Sequence, residues 1–276
     1  MDAHIAAKSQ IIVSIIIPCY NSGEFLPDAL NSVLSYERLE ILEIIIVDDG
    51  STDVLTLDLL AKAELKGCRV FYQPNKGPAA ARNTGIAEAI GKYILFLDSD
   101  NKIKHSYIEK GIIALDSDSE VGVVYGKPSF FGDTDIARFE TYTFDSYKIL
   151  LSNSVDMCTM IRKNMWMEVG GLDENRILIG HEDWEFWIRI TSAGWKFVFI
   201  DEVLFEYRVR VDSLITSATK PEAAERLLKY IHHKHYSEYH RMYDKLYKEY
   251  CAYEYDKSNP VRSFFKFMYL KYFSRK

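Results

Sequence analysis

The sequence predicts an α/β fold with a mainly parallel central sheet flanked by helices, followed by a helical extension. Short apolar runs alternate with segments of helical spacing through the first half of the chain. Runs such as residues 11–17 and 93–97 lack polar alternation, so each predicts a strand buried on both faces. Buried strands that alternate with helices are typical of parallel sheets covered by helices. Beyond about residue 218, the pattern changes to long polar and aromatic helical segments.

The predicted elements follow one another in regular order. Strands are predicted over residues 11–17, 43–47, 69–72, 93–97, 121–125, 196–200 and 203–208. Helices are predicted over residues 25–34, 53–66, 78–90, 106–115, 181–193 and 221–256. Pro18 is expected to end the first strand, and Ser51 or Thr52 to cap the second helix. Residues 126–163 predict irregular structure with short strands.

Composition and charge exclude several classes of protein. The chain has 276 residues and a formal net charge of −6, which argues against a nucleic-acid partner bound through a global positive field. Its four scattered cysteines predict reduced thiols rather than a disulfide framework. The first residues lack the pattern of a secretory signal, and no apolar run is long enough to span a bilayer. We therefore expect a cytoplasmic protein.

Candidate ligand-binding residues follow predicted strands. Tyr20 lies just after the first strand, Asp48 ends the second, and Asp98 and Asp100 end the fourth. Ligands of open parallel sheets bind outside the carboxyl ends of the strands. Two converging carboxylates suit Mg²⁺ or Mn²⁺, which also bind substrate phosphates. Each cluster alone fits turn chemistry, but three at one sheet edge favour a site.

Several longer motifs carry a family resemblance. Residues 13–21, 46–53, 75–85 and 96–100, joined by later motifs at 170–173 and 181–189, resemble the successive motifs of family 2 glycosyltransferases. The likeness covers about residues 11–215. It implies a GT-A fold, a nucleotide-sugar donor, a divalent metal and inversion at the anomeric carbon of the transferred sugar.

The resemblance implies a division of the chain and a set of donor-site residues. We expect a GT-A catalytic domain over 1–218, with a nucleotide-binding half at about 11–125 and an acceptor-binding half at about 126–218. Residues 219–276 then form the helical extension. The implied metal ligands are Asp98 and Asp100, and the implied nucleotide-binding residues are Pro18, Tyr20, Asn21, Asp48, Ser51, Arg82, Asp98 and Ser99. Asp48 can accept the imide N–H of uracil, which favours a UDP-sugar.

The motif at residues 181–189 holds the predicted catalytic acids. Asp183 is the candidate general base, which takes a proton from the acceptor hydroxyl as that hydroxyl attacks. Glu182 is expected next to the acceptor or the phosphates, and Trp184 is a candidate acceptor contact. Acids in a first helical turn also simply favour the helix dipole, and a buried Trp184 would serve packing.

One position departs from the family pattern. The family often has Tyr-Arg-x-His after its last strand, and Arg210 stands at the position of that histidine. Arginine cannot ligate a metal, but it can pair with a diphosphate. A third protein ligand for the metal is therefore not predicted.

The tail of the chain predicts an interface. Residues 261–276 contain five basic residues, no acidic residue and many aromatic side chains. On a helix, Phe264, Phe265, Met268 and Tyr272 share one face. This pattern is typical of a helix lying on the inner face of the cytoplasmic membrane. Packing on the catalytic domain or a homodimer contact would use the same face.

We expect a glycosyltransferase of polysaccharide biosynthesis, whose acceptor is a glycan or a lipid-linked oligosaccharide. A nucleotidyltransferase is the first alternative, but it would need a basic Gly-rich loop after the first strand, and residues 18–23 carry no charge. A non-catalytic nucleotide-binding protein is the second. The joint presence of Asp48, Asp98, Asp100 and Asp183 argues against it.

Overall fold

The structure, a computed structural model, describes residues 10–134, 137–210 and 221–273. The chain falls into two compact units, Met1–Tyr230 and Ile231–Lys276. The first unit contains the central sheet, and the second is helical. The boundary predicted between residues 218 and 219 lies outside the described residues.

The described elements of the first unit alternate as expected for an α/β fold. The strands are β1 (Val13–Cys19), β2 (Leu42–Asp48), β3 (Arg69–Tyr72), β4 (Tyr93–Phe96), β5 (Lys102–Ile103), β6 (Val121–Gly132), β7 (Met160–Arg162) and β8 (Lys196–Val209). The helices are α1 (Leu26–Leu34), α2 (Val54–Leu65), α3 (Pro78–Glu88), α4 (His105–Ser117), α5 (Lys163–Val169) and α6 (Glu182–Ser192). Helix α7 (Pro221–Lys234) crosses into the second unit, which continues with α8 (Tyr236–Ser258) and α9 (Pro260–Tyr272).

The eight described strands form one sheet in the order β3-β2-β1-β4-β7-β6-β8-β5. Strands β3, β2, β1 and β4 run parallel to one another, and β6 runs parallel to β8. Strand β7 is antiparallel to both β4 and β6, and β5 is antiparallel to β8. The prediction of a mainly parallel sheet flanked by helices is confirmed, and strand direction reverses at β7.

Burial of the first strands explains their position at the centre of the fold. Every residue of β2 and β4 is buried, as is every residue of β1 except Pro18. Because β1, β2 and β4 are parallel neighbours, their carboxyl ends meet at one edge of the sheet. That edge carries Tyr20, Asp48 and Asp98, as the sequence predicted.

The structure corrects two strand predictions. Residues 196–208 lie within the single strand β8, whose pairing with β6 continues across register irregularities at Gly126 and Lys127. Strand β1 also includes Pro18, which the sequence had placed at its end. Proline lacks a donor N–H, and β4, on one side of β1, ends opposite Ile16, so little pairing is lost there.

Two helix predictions are also corrected. The N-cap of α2 is Asp53, whose side chain accepts a hydrogen bond from the Thr56 N–H, and not Ser51 or Thr52. The single helix expected over residues 221–256 is divided into α7 and α8 at His235.

No helix among the described residues is long and apolar enough to cross a membrane. All four cysteines are free thiols, as the sequence predicted.

Candidate active site

A buried arginine joins the end of β4 to the beginning of α6. Arg82, on α3, is only 4% exposed. One terminal nitrogen donates to Asp98 at 2.6 Å and the other donates to Glu182 at 2.6 Å. Burial alone would lower the pKa of Arg82, but the two carboxylates raise it above its ordinary value. Arg82 is therefore a permanent buried cation that ties together two segments distant in sequence.

The turn after β4 carries a second carboxylate, Asp100. It lies next to Arg208 of β8 and Arg210, which follows that strand. Arg210 lies with its Nε 3.1 Å from the Asp100 carboxylate. Arg208 donates from Nε to the Asp100 carbonyl at 3.0 Å, and its backbone N–H donates to the Asn101 side chain at 2.8 Å. Burial and the nearby Asp98 charge raise the pKa of Asp100 to about 6. Converging carboxylates of this kind favour a bound cation.

The candidate base lies at the start of α6. Asp183 accepts a hydrogen bond from the Asn153 side-chain amide at 2.8 Å and one from the Trp184 N–H at 2.7 Å. Burial, followed by the charges of Glu182 and Asp156, raises its pKa well above the ordinary value. A raised pKa brings a carboxylate closer to the working pH at which a general base is most effective.

Adjacent acids of α6 have different environments. The carboxylate of Glu182 is 8% exposed. It accepts hydrogen bonds from Arg82 and from the Gly180 N–H, which donates to it at 2.8 Å. Trp184 is also buried, and its indole N–H donates to the Ile149 carbonyl at 2.5 Å. This burial favours the packing interpretation of Trp184. Asp183 is only half-buried and remains accessible.

Sequence reasoning missed Asp156, which lies in the same cluster. Burial and the charge of Asp98 raise its pKa to about 7, and Asp156 in turn raises the pKa of Asp183. The residue precedes β7 in a segment that the sequence predicted only as irregular. The antiparallel pairing of β7 with β4 brings it to the site, and no motif spacing could have indicated that pairing.

The loops after β1 and β2 are joined by hydrogen bonds. The Asn21 N–H donates to the Ser51 hydroxyl at 2.9 Å, and the Asn21 side-chain oxygen accepts from the Thr52 N–H at 2.8 Å. Asn21 has a left-handed backbone with φ of +46°. The Ser51 N–H also donates to the Asp48 carboxylate at 3.2 Å. The predicted nucleotide-binding residues Asn21 and Ser51 thus hold each other's loops in place.

Other predicted donor-site residues surround these loops. Tyr20 is 49% exposed, whereas Asp48 is buried at 3% exposure, Ser99 is buried and Pro18 is half-buried. An exposed phenol ring beside a buried carboxylate provides a flat surface and an acceptor. The structure therefore brings the predicted residues of β1, β2 and β4 to one edge, where Arg82 contacts Asp98.

Asp49 differs from its neighbour Asp48 in having a structural environment. Its carboxylate accepts from the Gln73 side chain at 2.7 Å, from the Lys76 N–H at 2.9 Å and from the Gly77 N–H at 2.8 Å. Gly77 has φ of +97° at the cap of α3. Asp49 therefore fixes the loop that starts α3, the helix that carries Arg82.

Comparisons with known proteins agree with the sequence motifs. A family model described as glycosyl transferase family 2 matches residues 14–170, and a related model described as glycosyltransferase like family 2 matches residues 130–257. The glycosyltransferase GlyG of Streptococcus pneumoniae is 37% identical over 229 residues, which cover 74% of this chain and 73% of GlyG. A glycosyltransferase of Rickettsia felis is 49% identical over 98 residues, which are 35% of this chain but only 16% of that protein.

A solved structure shows the same fold. The crystal structure of Staphylococcus aureus TarS 1-349 in complex with UDP-GlcNAc aligns with a TM-score of 0.64 and 22% sequence identity. The alignment covers 80% of this chain and 65% of the TarS chain. The predicted GT-A fold, with helices following the sheet, is therefore confirmed.

The Arg82 network predicts a large effect on stability. Arg82→Met keeps the length of the side chain but leaves Asp98 and the buried Glu182 without their cation. We expect the free energy of unfolding to fall by about 3–5 kcal/mol, measured by urea denaturation. Arg38→Met is the control, since Arg38 and Glu40 form an exposed pair at 3.7 Å and such pairs contribute about 1 kcal/mol or less. Equal losses in the two variants would contradict the buried role.

Proposed function

Because the chain belongs to glycosyl transferase family 2, we propose that it transfers a sugar, with inversion, from a UDP-sugar to a hydroxyl of a glycan or lipid-linked acceptor. The observation that carries the proposal is the bridge from Asp98 through Arg82 to Glu182. This bridge brings the carboxylates after β4 close to the candidate base Asp183. A donor diphosphate and an attacking hydroxyl need these two groups of residues on opposite sides of one sugar.

The nucleotide subsite is proposed at the ends of β1 and β2. The Asp48 carboxylate accepts the Ser51 N–H, and its two oxygens have further acceptor capacity for the imide N–H of uracil. The exposed Tyr20 ring offers a surface for the base or the ribose. The UDP-GlcNAc bound in the TarS crystal structure gives further support for a uridine donor.

A divalent metal fits the residues after β4. Asp98 and Asp100 supply hard oxygen ligands, and Mg²⁺ or Mn²⁺ normally adds waters and substrate phosphates to one or two protein carboxylates. Such an ion, when bound, would neutralise charge on the departing diphosphate. Among the described residues, no group of three or more His, Cys, Asp or Glu side chains could hold a metal. An ion held by Asp98 and Asp100 would share its coordination with the donor phosphates.

Arg210 is proposed to act on the same diphosphate. Its guanidinium stacks on the Phe25 ring, 4.9 Å from the ring centroid, and lies beside Asp100. A planar guanidinium matches phosphate oxygens with paired N–H donors. Arg210 therefore supplies a positive charge where the family often has a histidine.

Asp183 is the proposed general base. As the acceptor oxygen bonds to the anomeric carbon, the Asp183 carboxylate takes the hydroxyl proton. The bond from that carbon to the diphosphate oxygen breaks, and its electron pair leaves with UDP. Asn153 holds one Asp183 oxygen in position. Attack from the side opposite to the leaving group accounts for inversion.

The donor reaction tests this function directly. With Mn²⁺, we expect the chain to release UDP from at least one UDP-sugar, and calorimetry to show tighter binding of UDP than of GDP. Asp100→Ala and excess chelator should each abolish turnover, because the diphosphate charge is then not neutralised. Asp201→Ala, at an exposed position of β8, is the matched control.

Three results would count against the proposal. Release of pyrophosphate would indicate nucleotidyl transfer, and no turnover with any nucleotide sugar would indicate a binding protein. Full activity in chelator would exclude the metal. A clear preference for GDP would overturn the assignment of the base subsite.

The base has its own kinetic prediction. Asp183→Asn should lower kcat by roughly 10²–10⁴ while donor affinity changes little. A base must be deprotonated, and the pKa of Asp183 is raised. In the wild type, kcat should therefore fall with decreasing pH at a higher pH than an ordinary aspartate, with its pKa of about 4, would give. Wild-type turnover by the variant would transfer the assignment to another acid.

The helix α9 is proposed to contact an anionic membrane surface. Phe264, Phe265 and Tyr272 are 58%, 66% and 61% exposed, respectively. Lys266 and Lys271 lie on the same helix, and residues 261–276 contain no acid. Exposed aromatic groups beside lysines are typical of helices in a membrane interface. A lipid-linked acceptor would be reached most directly from such a surface.

Vesicle co-sedimentation tests this contact. Lys266→Glu combined with Lys271→Glu should release the full chain from vesicles containing anionic lipid at low salt. Lys245→Glu combined with Lys248→Glu, on α8, changes the net charge equally and should have a smaller effect. If the wild type does not sediment but its apparent mass doubles with concentration, the face is instead a homodimer contact.

A further inference from the structure

Asp156 lies beside the carboxyl end of β4 because of strand pairing. Leu95 pairs with Met160, and the Phe96 N–H donates to the Thr159 carbonyl at 3.1 Å. The chain just before β7 therefore passes the carboxyl end of β4, and Asp156 lies within range of the Asp98 charge. Asp156 is thus adjacent to the proposed metal-binding turn, although it is 56 positions away from Asp100 in the sequence.

Hydrogen bonds fix the segment around Asp156 from several directions. The Asp156 Oδ1 accepts the Cys158 N–H at 2.8 Å. The Val155 carbonyl accepts the Trp187 indole N–H of α6 at 2.9 Å, and the Cys158 carbonyl accepts the Tyr107 hydroxyl of α4 at 2.7 Å. The carboxyl group of Asp156 is therefore held in place by its neighbours, yet its residue is only half-buried.

The same segment also reaches the candidate base. Asn153, three residues before Asp156, donates to Asp183 at 2.8 Å. Asp156 therefore lies between the carboxylates that would face the diphosphate and the carboxylate that would face the acceptor. If the proposed function holds, this is the space in which the transferred sugar must lie.

A metal-binding role for Asp156 does not fit the geometry. Among the described residues, no three acidic, His or Cys side chains are close enough together to hold an ion, so Asp156 does not complete a site with Asp98 and Asp100. A purely structural role would use one carboxylate oxygen for the Cys158 N–H and would not need the accessible position. A partly exposed, fixed carboxylate is a strong acceptor for hydroxyl groups.

We propose that Asp156 accepts hydrogen bonds from the hydroxyl or amide N–H groups of the donor sugar, and that it selects a neutral hexose or N-acetylhexosamine. The inference rests on the proposed function and identifies the class of sugar that this site takes. The carboxylate of a uronic acid placed next to Asp156 would have no proton to donate to it and would be repelled by its like charge. A uronic acid is therefore disfavoured.

Calorimetry with UDP, UDP-glucose, UDP-N-acetylglucosamine and UDP-glucuronate, all with Mn²⁺, tests the proposal. In the wild type, at least one neutral sugar should increase affinity over that of UDP, and glucuronate should not. Asp156→Asn should leave the affinity for UDP within about twofold but weaken the best neutral donor by about tenfold or more, the loss expected for a hydrogen bond to a charged group. In donor hydrolysis, KM should rise more than kcat falls.

A second variant and a control keep the outcome decisive. Asp156→Ser retains an acceptor for the Cys158 N–H, so it should fold even if the asparagine variant does not, and it should show the same loss for the sugar. Asp58→Asn, on the exposed face of α2, should change neither affinity.

Distinct results separate the two levels of the proposal. If wild type and Asp156→Ser have the same ratio of UDP-sugar to UDP affinity, the inference is wrong while the proposed function stands. A large fall in kcat with unchanged KM overturns it in favour of a role as base. If the wild type binds no uridine nucleotide, both proposals fail.

Discussion

The candidate site depends on one buried cation. Arg82 is almost completely removed from water, and an isolated charge in that position would be strongly unfavourable. The carboxylates of Asp98 and Glu182 offset this cost with two short hydrogen bonds. The same bonds fix the end of β4 against the start of α6, two segments far apart in the sequence. Because breaking the network would leave charges uncompensated, the relative position of the two segments is tightly determined.

The arginine also separates the roles of two adjacent acids. Glu182 accepts hydrogen bonds from Arg82 and from the Gly180 N–H. Asp183 instead contacts Asn153 and remains accessible. Adjacent residues of a helix project about 100° apart, so an acidic pair can serve an internal contact and an open site at once. The sequence placed both acids in the site, but it could not assign Glu182 to Arg82, because that pairing crosses 100 positions of the chain.

Local signals predicted most of the fold and the strand-end positions of the candidate donor-site residues. The apolar runs of β1, β2 and β4 and the acids that end them were visible without tertiary information, because burial and turn chemistry act over a few residues. The long strand β8 and the position of Asp156 were not visible, since each depends on pairing with a distant strand. The cap of α2 was misassigned by one or two residues, because Ser51, Thr52 and Asp53 all have suitable side chains.

The reversal of strand direction at β7 separates the loops proposed to bind the nucleotide from the segment proposed to contact the sugar. This separation bears on how such enzymes diversify. The loops proposed to bind the base belong to the parallel strands and are held together by Asn21 and Ser51. Asp156, which is proposed to face the sugar, lies on the short segment before the antiparallel strand β7. Exchange of that segment alone between relatives would therefore change which monosaccharide is accepted and leave the nucleotide-binding loops unchanged. The segment before β7 is therefore a suitable unit to exchange when chimeric transferases are built.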